Sequence, residues 1–181
     1  MQRFVWPQCA NFIKSIKTNS QSPPVANRLL LFFILAIASL FSASCTKDYV
    51  KIDEKLITNY ISDQKIADAQ RIGSGLYYVP VSPAPTGTRA TVGKTVSVLY
   101  TGMLLNGKVF DSTSSRQNQP FEFVIGRGEV IKGWDQGIAL MRKGEKAILL
   151  IPSALGYGDR GTGPIPANSV LRFDVELVDV K

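Results

Sequence analysis

With 181 residues, 21 Lys and Arg against 14 Asp and Glu (net +7) and no histidine, the chain excludes Ser-His-Asp and Cys-His catalysis and every histidine-ligated metal site. It holds no P-loop, and Gly126-Arg127-Gly128 is only a fragment of a dinucleotide fingerprint with no βαβ unit around it. No Lys/Arg stripe interleaves with aromatic residues, which argues against nucleic-acid binding.

Residues 1–44 read as a secretory signal. Arg3, Lys14, Lys17 and Arg28 stand there without an acidic residue, an apolar run from Leu29 to Phe41 follows, and Ser42-Ala43-Ser44 precede Cys45. The 13 residues of that run are too few to span a bilayer comfortably. Removing the segment leaves 17 basic residues against 14 acidic ones, so most of the basicity belongs to the signal. Phe41-Ser42-Ala43-Ser44-Cys45 resembles a bacterial lipoprotein cleavage site, with Ser42 where an aliphatic residue is usual. That resemblance implies lipidation of Cys45, an anchor in the bacterial envelope and a domain facing the periplasm or the cell exterior. Cys9 lies inside the removed segment, so the mature chain has no second cysteine for an internal disulfide.

Residues 45–72 form the expected arm. Ile52, Leu56, Ile57, Tyr60 and Ile61 recur at helical spacing until the pattern slips at Ser62-Asp63. Two readings stay open: a solvated spacer, or a helix that pairs with a second copy. Gly73-Ser74-Gly75 then separates the arm from a domain over residues 73–181.

Strands are expected over Leu76–Val81, Thr95–Met103 and Lys108–Asp111, the last two joined by an Asn106-Gly107 hairpin in which both residues tolerate positive φ. Ser112 to Pro120 is polar and aperiodic. Phe121, Phe123 and Ile125 share one strand face, and Trp134, Ile138 and Met141 one face of a short helix that Arg142-Lys143-Gly144 ends. Glycines on both sides of Trp134 allow a close backbone approach around the ring. Lys146–Pro152 is a buried strand, Leu155–Asn168 a Gly- and Pro-rich loop, and Val170–Val180 a strand with one buried and one wet face. The sum is an α+β domain: a curved antiparallel sheet of about five strands around one short helix. An aromatic bowl between sheet and helix is its expected centre.

Tyr100-Thr101-Gly102-Met103-Leu104, Gly107 to Ser112, Pro120 to Phe123, Gly128 to Trp134, Tyr157-Gly158 and Phe173 to Leu177 closely resemble the FKBP-type peptidyl-prolyl cis-trans isomerases, in order and at family spacing. The resemblance implies a sheet half-wrapped around its helix, no cofactor, and proline-containing segments of unfolded or exported proteins as partners. It implies Trp134 as pocket floor, with Tyr100, Phe110, Phe121 and Phe173 as walls and Val130, Ile131 and Ile165 as aliphatic edges. Tyr157 corresponds to the hydroxyl donor, Asp111 to the carboxylate beside the substrate amide, and the Ile131 N–H to a carbonyl-binding group. Tyr100, Phe110, Asp111 and Tyr157 are thereby the implied catalytic set, and the remaining lining residues bind substrate. Without the resemblance, Phe121 and Phe173 read as core and Asp111 as a turn cap. Phe123 is core, and Glu129 and Lys132 are solvated. A binding module that grips apolar peptides in the same groove without catalysis is the alternative reading.

Overall fold

The computed structural model describes residues 48–181; the expected signal over 1–44 and the expected lipidation site Cys45 lie outside the described residues. Helix α1 spans Tyr49–Asp63, capped by the Asp48 carboxylate, which accepts from the Lys51 N–H at 3.4 Å. It stops where the apolar spacing slips. The strands are β1 (Gln70–Arg71), β2 (Tyr77–Ser82), β3 (Thr95–Leu104), β4 (Val109–Ser112), β5 (Phe121–Val124), β6 (Lys146–Ile151) and β7 (Leu171–Val180), with helix α2 (Lys132–Ile138) between β5 and β6.

All pairings are antiparallel, in the order β1-β2-β6-β7-β3-β4, with β5 also paired to β3. The sheet has seven strands where about five are expected. The two-residue β1 is too short to leave a pattern in the sequence.

Alternation decides which side chains face inward. Val96, Val98 and Tyr100 of β3, Leu149 and Ile151 of β6, and Leu171, Phe173, Val175 and Leu177 of β7 form one buried cluster with Trp134, Ile138 and Met141. The helix lies close to β6 because Gly133 and Gly137 carry no side chain. A Cβ at either would stand 2.5 Å from Ile151 or 2.8 Å from Leu149. The glycines flanking Trp134 therefore admit β6 rather than making room around the indole ring. Helix α2 also ends at Ile138, before Arg142-Lys143-Gly144, and Met141 is buried from the turn that follows.

Strand β3 is split along one edge. Its first half pairs with β5 (Val98 opposite Phe121) and its second with β4 (Thr101 opposite Ser112). Tyr100 sits at the gap, where no strand serves its backbone. Thr113 Oγ1 instead accepts from the Tyr100 N–H at 3.1 Å, and the Ser112 hydroxyl donates to the Tyr100 carbonyl at 3.1 Å. Those two hydroxyls replace ladder bonds that a buried backbone would otherwise lack. The β3–β4 hairpin has positive φ only at Gly107, while the Asn106 side chain accepts from the Lys108 N–H at 3.0 Å. The turn is thus not the mirror-image type that needs positive φ at both residues.

Helix α1 is docked, which corrects the solvated-spacer reading. Ile57 is fully buried and packs with Tyr77, Leu150 and Val170 on the sheet face opposite α2, flanked by Tyr60 and Ile61. Burying one such aliphatic side chain contributes about 1.5–3 kcal/mol. Asp53, one turn earlier, is buried as well and accepts from the Ser153 N–H and hydroxyl at 2.8 and 2.6 Å. Residues 48–181 belong to one compact unit.

Candidate active site

The inner face of the sheet and the start of α2 enclose a cavity of about 410 Å³. Its lining is Tyr100, Phe110, Asp111, Phe121, Glu129, Val130, Ile131, Trp134, Tyr157 and Phe173. Six chain segments remote in sequence converge there only because β3 runs through the middle of the sheet. Trp134, in the first turn of α2, is the floor and is 5% exposed.

Three rings stand edge-on to Trp134: Tyr100 at 4.8 Å, Phe173 at 5.2 Å and Phe121 at 6.1 Å between centroids. Phe110 meets Phe173 edge-on at 5.5 Å. Edge-to-face contacts hold rings more firmly than area burial alone, each adding about 0.5–1.5 kcal/mol. Gly102 makes the wall possible. A Cβ there would stand 2.6 Å from the Phe110 ring and 2.7 Å from Phe173.

The polar rim is ordered around Asp111. The Tyr100 hydroxyl donates to Asp111 Oδ2 at 2.5 Å, and Arg116 Nη2 donates to the Tyr100 oxygen at 2.6 Å while standing 3.4 Å from Asp111 Oδ1. Burial pushes the Tyr100 hydroxyl above its ordinary 10.0, with the Asp111 hydrogen bond acting the same way. Burial, then the Asp111 charge, likewise raises the Tyr157 hydroxyl. Both phenols are therefore proton donors at neutral pH. The Tyr157 hydroxyl donates to no group among the described residues, and neither does the Ile131 N–H. The Ile131 carbonyl, in contrast, is engaged as helix cap by the Trp134 N–H at 2.9 Å.

Nine of the ten pocket residues expected from the sequence line this one cavity. Ile165 does not. It is 5% exposed, belongs to the main core, and exchanges backbone hydrogen bonds with Thr162 within the loop that carries Tyr157. Phe123 is core at 3% exposure, stacked 6.0 Å from Phe121. Glu129, expected to be only solvated, is exposed but forms part of the rim, and its carboxylate accepts from the Val124 N–H at 3.0 Å. Arg116 was not singled out from the sequence. Its only signal is that it is the sole charge between Asp111 and Glu122.

A second hollow of about 440 Å³ lies on the outer sheet face, lined by Val81, Leu99, Ile148 and the ion pairs Arg172–Asp174 and Lys146–Glu176. Its charges neutralise one another, and it gathers no aromatic walls comparable to the first.

A model of the family described as FKBP-type peptidyl-prolyl cis-trans isomerase matches residues 87–178. The chain belongs to this family. Fkbp12, a peptidyl-prolyl cis-trans isomerase of Drosophila melanogaster, is 47% identical over 108 residues, which are 59% of this chain and 99% of that protein. FKBP53 of Arabidopsis thaliana is 48% identical over 123 residues, 66% of this chain but only 25% of the longer plant protein. The crystal structure of FkpA from Escherichia coli superposes with a TM-score of 0.64 at 35% identity, covering 86% of this chain and 71% of that one. The unengaged Tyr157 hydroxyl and Ile131 N–H stand at the edge of the ring-lined cavity.

Proposed function

We propose that this FKBP-type protein accelerates rotation about X-Pro bonds in exported proteins, held in the bacterial envelope by a lipid on Cys45. One observation carries the catalytic part: a ring-lined cavity with two hydrogen-bond donors on its rim that no group among the described residues engages. Amide resonance sets a rotational barrier of about 18–20 kcal/mol, and X-Pro bonds exchange over tens to hundreds of seconds.

At the twisted midpoint the nitrogen lone pair is decoupled and the amide loses charge separation. An apolar aromatic bowl disfavours the planar, polar form more than the twisted one, so the effect is differential. The Tyr157 hydroxyl and the Ile131 N–H hold substrate carbonyls in orientation. Asp111, tied to Tyr100 and Arg116, orients the field at the rim. No proton leaves and no covalent bond forms. A site without histidine or thiol is sufficient for such a reaction.

The test of catalysis is an NMR exchange or protease-coupled assay of the full chain on a proline tetrapeptide. A rate equal to the uncatalysed background overturns the reading. The anchor has its own test. Cys45→Ser is expected to shift the protein from the membrane fraction to the soluble fraction of bacterial cells, and an unchanged distribution removes the lipid from the proposal.

A non-catalytic holdase that works as a dimer through α1 is the second reading. It draws on Ile52 and Leu56, which stay 39% and 45% exposed on that helix. Mass in solution separates the two: a monomer at all concentrations leaves the dimeric holdase without support.

A further inference from the structure

Asp53 lies outside the matched family region, on the helix that precedes the domain, yet it reaches the base of the loop that carries Tyr157. The carboxylate is 1% exposed. Its Oδ2 takes both Ser153 donors, and its Oδ1 has no hydrogen-bond partner among the described residues. Burying a carboxylate with one oxygen unserved is costly, and for plain docking an apolar residue serves as well or better. Ile57 already docks the helix one turn later on the same face. Helix attachment therefore does not account for a buried polar acceptor at this position.

The hydrogen bonds beyond Ser153 do. Its carbonyl accepts from the Gly156 N–H at 3.0 Å and from the Gly158 N–H at 2.9 Å, the two amides that flank Tyr157. The Gly158 carbonyl then accepts from the Asn168 N–H at 2.7 Å, closing the loop. Within the loop Gly158, Gly161, Gly163 and Asn168 all have positive φ, so its own residues favour a wide range of backbone shapes. The anchor has to supply the definition that the loop sequence lacks.

We propose that Asp53 is a positioning residue: by fixing Ser153 it places the Tyr157 hydroxyl at the cavity rim. The inference rests on the isomerase reading of that cavity. Asp53 touches no substrate, so it acts only through Tyr157.

A double-mutant cycle on the full chain tests this, with turnover of and affinity for a proline tetrapeptide measured for wild type, Asp53→Ala, Tyr157→Phe and the double variant. Asp53→Ala is expected to lower kcat/KM about fivefold, mainly through KM, in the wild-type background and less than about twofold once the Tyr157 hydroxyl is gone. Asp53→Asn, whose side-chain carbonyl still accepts from Ser153, restores most of the loss. Ile57→Ala destabilises the same helix without touching Ser153 and leaves kcat/KM of the folded protein unchanged.

Should Asp53→Ala fail to fold, Ser153→Ala goes through the same cycle with the same expectation. An equal loss in both Tyr157 backgrounds, or no loss in either, overturns the inference. A wild-type chain that binds the peptide without turning it over removes the isomerase reading alone, and the cycle is then judged on affinity. Absence of both turnover and binding removes both.

Discussion

Tyr100 and Asp111 face each other across the β3–β4 hairpin, hydroxyl to carboxylate at 2.5 Å, with Arg116 against both. The pair exists because β3 is split at Tyr100. The chain leaves the sheet after Ser112, makes a 3-10 turn over Thr113–Arg116, and returns at Phe121, which puts a guanidinium against the Tyr100 hydroxyl and the Asp111 carboxylate. Arg116→Ala is expected to leave the Tyr100–Asp111 bond in place and the fold intact, since the Arg116 side chain is 49% exposed. Exposed ion pairs contribute about 0–1 kcal/mol, so its effect belongs to the site. A fall in kcat/KM with an unchanged melting temperature is the expected result; unchanged turnover shows that Arg116 has no part in orienting Asp111.

Tyr157→Phe removes a hydroxyl that no described residue uses in the folded protein. Stability is expected to hold, while kcat/KM falls about two- to tenfold, the worth of one neutral hydrogen bond. Chemical denaturation and the peptide assay on the same sample check both halves. Full activity in the variant takes the hydroxyl out of the mechanism.

Gly102→Ala places a methyl group 2.6–2.7 Å from the Phe110 and Phe173 rings. Overpacking of this kind costs about 1–3 kcal/mol. The midpoint of urea unfolding is expected to drop and peptide affinity to weaken, because the rings that must move are the pocket wall. A neutral result means that the two phenylalanines shift without consequence for either.

Ile57→Ala tests the docking of α1. Ile57 is 0% exposed, and truncating such a residue costs about 2–5 kcal/mol. A denaturation midpoint equal to wild type is incompatible with the helix lying on the sheet.

Stability in alkali should follow Tyr78, which burial, and then the Glu145 charge, push up to about 12 from 10.0. A raised folded value favours the neutral form, so its contribution is complete below pH 10. Between pH 10 and about 12 the unfolded chain has lost the proton that the folded one keeps, and stability declines as pH rises through that window. Unfolding midpoints measured from pH 9 upward are expected to fall less steeply in Tyr78→Phe. Parallel curves for the two proteins contradict the shift.

By itself the sequence determined the parts whose cause is local. Period-two alternation in Val96, Val98 and Tyr100 and in Leu171, Phe173 and Val175 set which face of each strand is buried, because side chains on a strand alternate whatever it pairs with. The spacing of Trp134 and Ile138 did the same for α2, and the linked motifs marked nine of the pocket residues. Only the tertiary structure decided the rest. The docking of α1, the reach of Asp53 to a serine 100 residues away, the burial of Ile165 and the seat of Arg116 against Tyr100 all depend on which surfaces meet after the sheet closes. No local pattern encodes such a meeting, since the free energy that selects it comes from apolar area and hydrogen bonds shared between segments far apart in the chain.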